Sequence, residues 1–240
     1  MPERFIQFNS PRDPMQTESP VNPLPPVVIA LCLVAVVVEL ILSAGATGFV
    51  GGAAGVGWRL AALQDYSVSP AVLEVIVTRG DFGLDLLKRF VTYPFVHASF
   101  TSALFGAALL LALGKFVGDI FHPAATLALF VLSAVGGALV FCLVFAGASP
   151  LFGLWTPVYG LIGGYTYVVW LSLGRMGQNQ LQAFRLIGFL LGLQLLFGLL
   201  FGSNGMWVAE LAGFATGFAV SPILAPGGWT ALLRRLRSRS

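Results

Sequence analysis

Along most of the chain apolar residues follow one another without the polar interruptions that a water-facing helix or strand would show, so run length is more informative than periodicity. Residues 27–57 contain one charge, Glu39, and close in a glycine-rich stretch; residues 90–114 contain none. Residues 120–174 are uncharged apart from a neutral histidine, too long for one crossing, and divided by Ala148-Ser149-Pro150. Residues 186–233 contain only Glu210 and divide at Gly202-Ser203-Asn204-Gly205. A helix needs about 20 largely apolar residues to cross ~30 Å of hydrocarbon. The four runs therefore predict six membrane-spanning helices, an all-α polytopic membrane protein. Between the first and second spans lies a long loop, 59–89, whose apolar stretch 71–77 is too short to span. It suits either a segment lying in the interface or an amphipathic helix in a solvated loop.

Composition agrees with this pattern. The chain is 57% hydrophobic and 10% charged, with a mean hydropathy of +0.88, where a soluble domain carries roughly 25% charged residues. The first 26 residues hold seven prolines and few apolar side chains, the composition of a disordered tail. The domain plan is a Pro-rich tail over 1–26, a membrane domain over 27–225 and a basic tail over 226–240. Ala44-Gly45-Ala46 has the form of a signal-peptidase site, but the polar leader is long and no basic cluster abuts the apolar core, which argues against cleavage.

Charge then orients the spans. The net charge of +3 comes mainly from Arg234, Arg235, Arg237 and Arg239, which have no aromatic interleaving and read as a topology signal rather than a nucleic-acid patch. With the N-terminus inside, the inner segments carry these four arginines together with Arg4, Arg12, Lys115, Arg175 and Arg185. The outer side carries Arg59, Arg79, Lys88 and Arg89, balanced by Asp65, Glu74, Asp81 and Asp85. Both termini are expected to be cytoplasmic, in the inner (plasma) membrane if the source is bacterial. Cys32 and Cys142 lie in separate apolar runs and read as small hydrophobes. Neither a disulfide, a metal site nor a cofactor is suggested.

Four stretches carry a family resemblance. Gly153-Leu154-Trp155-Thr156-Pro157-Val158-Tyr159-Gly160 resembles the rhomboid intramembrane protease motif G-x-S-G-x-x-x-G, with Trp155 at the position of the nucleophilic serine. Leu87-Lys88-Arg89-Phe90-Val91-Thr92-Tyr93-Pro94-Phe95-Val96-His97-Ala98 resembles the W-R-x-x-T-Y-x-F-x-H-A/G entry into the second rhomboid helix, and Gly114-Lys115-Phe116-Val117-Gly118 its inner end. The stretch from Trp207 through Glu210 and Gly213 to Phe218 resembles the sixth helix, A-H-x-G-G-F-x-x-G. The resemblance covers about 59–224 and implies a six-helix rhomboid-like bundle with a long first outer loop. Gly160 with Gly164, and Gly213 with Gly217, are small-xxx-small pairs that let the fourth and sixth helices approach closely.

What the resemblance implies about chemistry is a loss. Acyl transfer needs a nucleophile, a nearby base and oxyanion donors. By the alignment the serine position is Trp155, the base histidine is Glu210, and the oxyanion positions are Ser102 and Gly106; only His97 of the second-helix pattern remains. Thr156 sits about 100° round the helix from the serine position, and with Glu210 as base it is the one substitute pair on offer. His97 reads as a histidine bonding loop backbone, with client contact as the alternative. Trp155 reads as filling the former cavity against the sixth helix, or as a stacking platform.

Glu39 and Glu210 are ionisable residues within spans, which are costly and mark candidate functional positions. Either could be protonated or bonded to Ser or Thr side chains. The expected function is binding of transmembrane segments of client proteins without cleavage, as inactive rhomboid relatives such as the derlins do, with His97, Trp155, Thr156 and Glu210 as candidate cavity or client-binding residues. The alternatives are an intramembrane serine endopeptidase with unorthodox residues, a transporter using Glu39 and Glu210, and an accessory subunit of a membrane complex. Expected partners are membrane lipids and transmembrane segments, with no nucleic acid.

Overall fold

A computed structural model describes residues 23–145, 150–201 and 205–226. The Pro-rich tail up to residue 22, the C-terminal arginines, and most of the two predicted breaks (146–149 and 202–204) lie outside the described residues. The elements in chain order are α1 (Pro26–Ala46), α2 (Gly52–Gly55), α3 (Trp58–Tyr66), α4 (Pro70–Arg79), α5 (Leu84–Leu87), α6 (Arg89–Thr92), a 3₁₀ turn (Tyr93–Phe95), α7 (Phe100–Gly118), α8 (Pro123–Val144), α9 (Trp155–Arg175), a second 3₁₀ turn (Gln180–Phe184), α10 (Arg185–Phe201) and α11 (Met206–Leu224). The protein is an all-α polytopic membrane bundle.

Where the run-length reading predicts six spans, five stretches of the described residues are long and apolar enough to cross a bilayer: α1, α7, α8, Gln180–Leu200 and α11. The sixth long helix, α9, has 21 residues but is rich in Gly, Tyr, Trp and Thr, and ten of its residues are buried. It runs through the middle of the bundle, so protein rather than lipid covers its less apolar faces.

The second span also begins later than residues 90–114 suggest. Pro94 ends α6 in a tight 3₁₀ turn, Val96 is extended, and the Ser99 side chain caps the N-terminus of α7 by accepting from the Ser102 N–H at 3.2 Å. A proline disfavours helix in the residue before it and a serine cap starts a new one. His97 is therefore on the connecting segment, not on the membrane helix.

Helices α8, α9 and α11 form the densest part of the bundle, with α9 and α11 the most extensive pair. The seam is made of absent side chains. A Cβ on Gly213 would stand 2.5 Å from the Thr156 carbonyl oxygen, one on Gly217 would meet the Gly160 backbone, and one on Gly164 would stand 3.4 Å from Ser221 Oγ. Thr156, Gly160 and Gly164 thus face Gly213, Gly217 and Ser221 in step, one turn at a time, so α9 and α11 run parallel. A Cβ on Gly160 would likewise meet Ser133 and one on Gly164 the Leu129 side chain, while Gly137 faces Thr156; the numbers fall along α8 as they rise along α9, which makes that pair antiparallel. Gly137 and Gly163 contribute to the seam outside the small-xxx-small pairs. On the other side α1 packs along α7. α10 is the most loosely held, touching the bundle through Ile187, Leu190 and Leu191.

Candidate functional site

The site is assembled where the long first loop meets the start of α9. Val68 and Leu151 exchange backbone hydrogen bonds (3.1 and 2.7 Å), and the Gly153 N–H donates to the Tyr93 carbonyl at 2.9 Å. Gly153 has φ +89°, a conformation that favours glycine, and it turns the chain over His97. The imidazole of His97 is completely buried. Its Nε2 accepts the Leu154 N–H at 3.4 Å, and Nδ1 has no geometric partner. Burial lowers its pKa from 6.5 to about 4, which keeps it neutral and able to accept. Gly106 on α7 faces this pair: a Cβ there would be 3.1 Å from Leu154 Cβ and 3.6 Å from His97 Nε2. The space that a side chain at position 106 would need is filled by Leu154. Ser102, half-buried one turn earlier, presents its N–H to the Ser99 cap.

Trp155 opens α9 and is half-buried. With Tyr159 one turn on, it packs into an apolar group containing Ile162, Ile187 and Phe214, from α9, α10 and α11. Thr156, one position round the helix, points elsewhere. It is buried beside the Tyr93 phenol, and Tyr93 Oη donates to the Ala134 carbonyl at 2.9 Å. Its methyl faces Gly137 and Gly213.

Glu210, on α11, is buried and accepts a 2.6 Å hydrogen bond from Gln194 Nε2 of α10. It lies within electrostatic reach of Tyr159. The predicted site residues thus fall into three groups. His97 and Gly106 meet at Leu154, with Ser102 one turn before Gly106; Trp155 packs where α9 meets α10, and Glu210, on α11, lies within electrostatic reach of Tyr159; Thr156 sits between α8 and α11. Thr156 and Glu210 share no hydrogen bond.

Glu39, on α1, is held by a network that sequence reasoning missed in part. Arg59 Nη2 donates to Glu39 Oε1 at 2.7 Å and Nη1 to Oε2 at 3.0 Å. Ser43 Oγ donates to Oε1 at 2.7 Å, and Arg59 Nη1 also donates to the His97 carbonyl at 2.8 Å. The Ser43 contact is of the kind expected. The Arg59 contact is not, because the loop's charges balance among themselves in sequence and nothing marks one as turned inward. Gln194 was legible in principle: it is the one polar side chain in α10 after Arg185. Among the described residues no three His, Cys, Asp or Glu side chains gather to hold a metal ion.

The family model of the Rhomboid domain matches residues 85–227, more than half of the chain. No curated protein matches it.

Proposed function

The chain belongs to the rhomboid family, and from that premise we propose that it binds transmembrane segments of other proteins without cleaving them. In this reading the family's serine, base and oxyanion positions are Trp155, Glu210, Ser102 and Gly106, and none supplies its former chemistry. The observation that carries it is the orientation of the only substitute pair. Thr156 is turned toward Tyr93 and Gly137 in the interior, while the Glu210 carboxyl, on α11, is bonded to Gln194 of α10. A nucleophile and its base need to be within hydrogen-bond reach. Trp155, meanwhile, presents a half-buried indole beside the loosely held α10, a surface suited to an apolar helix. The proposal includes cytoplasmic termini, a membrane domain over 27–225 flanked by the two tails, and His97 as a loop-ordering residue.

The test is treatment of the purified protein with a fluorophosphonate serine probe and with a generic transmembrane substrate. Neither labelling nor cleavage is expected. Labelling or cleavage that disappears in Thr156→Ala or Glu210→Gln would overturn the reading in favour of proteolysis.

A further inference from the structure

The two oxygens of Glu210 and the amide of Gln194 present more acceptors than donors. Gln194 Nε2 serves one carboxylate oxygen, while Gln194 Oε1 is buried with no donor. Among the described residues the second carboxylate oxygen receives no side-chain donor, and Glu210 makes no ion pair; the three ion pairs are Arg59–Glu39, Lys88–Asp85 and Lys115–Asp119. Buried polar groups are normally partnered, and a charge inside a membrane helix is paired or faces a functional path. Gln194 ties α10 to α11 through this bond, and it is half-buried. The cluster therefore lies at the junction of α10 and α11.

We propose that the Gln194–Glu210 pair receives a basic side chain from a client transmembrane helix packed along α10. This rests on the client-binding reading and narrows it to helices carrying lysine or arginine at the level of Glu210, four residues from the start of α11 and so ~6 Å into it. A cation in a lipid-exposed helix is costly by itself, as is a carboxylate without a counter-charge, and pairing relieves both. The long aliphatic stem of lysine or arginine packs on apolar surface while its head reaches inward. An arginine fork can engage the carboxylate oxygen that Gln194 does not bond and the amide oxygen together.

The experiment reconstitutes the full chain in phospholipid nanodiscs and measures energy transfer to labelled leucine-rich transmembrane peptides that differ at one position: Lys, Leu or Glu. The expected result is Lys-peptide binding about tenfold tighter than Leu-peptide binding. Glu210→Gln should abolish that preference, and Gln194→Leu should reduce it. In Glu210→Lys the preference should pass to the Glu peptide. The melting temperature of each variant establishes that it is folded. Equal binding of the Lys and Leu peptides, or a Lys preference that survives Glu210→Gln, overturns the basic-residue proposal and leaves client binding standing. Binding of none of the peptides overturns both.

Discussion

Glu39 and Glu210 are both buried in membrane helices, yet they are held in opposite ways. Glu39 meets a guanidinium fork on both oxygens and a serine hydroxyl besides. The same Arg59 reaches the His97 carbonyl, so one cation ties α1, α3 and the segment before α7 together. Glu210 meets a neutral amide on one oxygen, and that amide keeps an orphan oxygen of its own. A buried carboxylate whose charge and hydrogen-bonding capacity are both met is a rivet. One whose capacity is unmet is a place for something else to bind.

The largest expected effect tests the rivet. Arg59→Leu leaves Glu39 buried without its cation, and breaking a buried pair costs about 3–5 kcal/mol. The thermal midpoint in detergent should fall steeply, and the double variant Glu39→Leu/Arg59→Leu should recover most of the loss, since apolar replacement of both partners is often neutral. An unchanged midpoint in Arg59→Leu would erase the distinction between the two carboxyls.

A second effect comes from the histidine that Arg59 helps to seat. His97 has its folded pKa depressed from 6.5 to about 4, so between these values the unfolded chain binds the proton and the folded chain does not. Stability is then fully present above pH ~6.5 and is lost as pH falls toward ~4, by on the order of 2–3 kcal/mol. Thermal midpoints across that window, compared with those of His97→Phe, check it: the variant should lose this part of the slope.

Much of the fold was legible because membrane helices are written as uninterrupted apolar runs and their contacts as glycines. Five of the long helices stand out by apolarity alone. The sixth, α9, follows from the length of the uncharged run it shares with α8; it is less apolar because a central helix lined by Gly160, Gly163 and Gly164 has little need of a lipid-facing surface. The site was less legible, since its partners come from other helices. Neither Arg59 for Glu39 nor Tyr93 for Thr156 is adjacent in sequence, and a side chain's neighbours across a bundle follow from packing, not spacing. The start of α7 was missed for a local reason, the Pro94 turn and the Ser99 cap.

The glycine seam holds the backbone that carries Glu210, so it supplies a third test. In Gly217→Ala the new methyl would meet the Gly160 backbone, which cannot swing aside as a side chain can. Overpacking of this kind costs about 1–3 kcal/mol. Gly192→Ala on α10 has nothing within 4 Å of the new Cβ and replaces a poor helix former, so its midpoint should stay level or rise. Equal losses in both variants would mean that α10 is gripped as tightly as α11.

The smallest expected stability effect is the one that most sharply separates the two carboxyls. Glu210→Gln keeps an acceptor for Gln194 Nε2 and adds an N–H donor that the orphan Gln194 Oε1 can take, so the interhelical bond survives in a neutral form. Single side-chain hydrogen bonds between membrane helices average about 0.6 kcal/mol. The change in folding stability should therefore be below ~1 kcal/mol in either direction, read as a near-constant midpoint in the same detergent series. A loss as large as that of Arg59→Leu would make Glu210 a second rivet, with its charge engaged by the fold itself. A near-constant midpoint leaves the charge free of any folding role, because what the substitution removes is the one feature that the neutral amide beside it does not need.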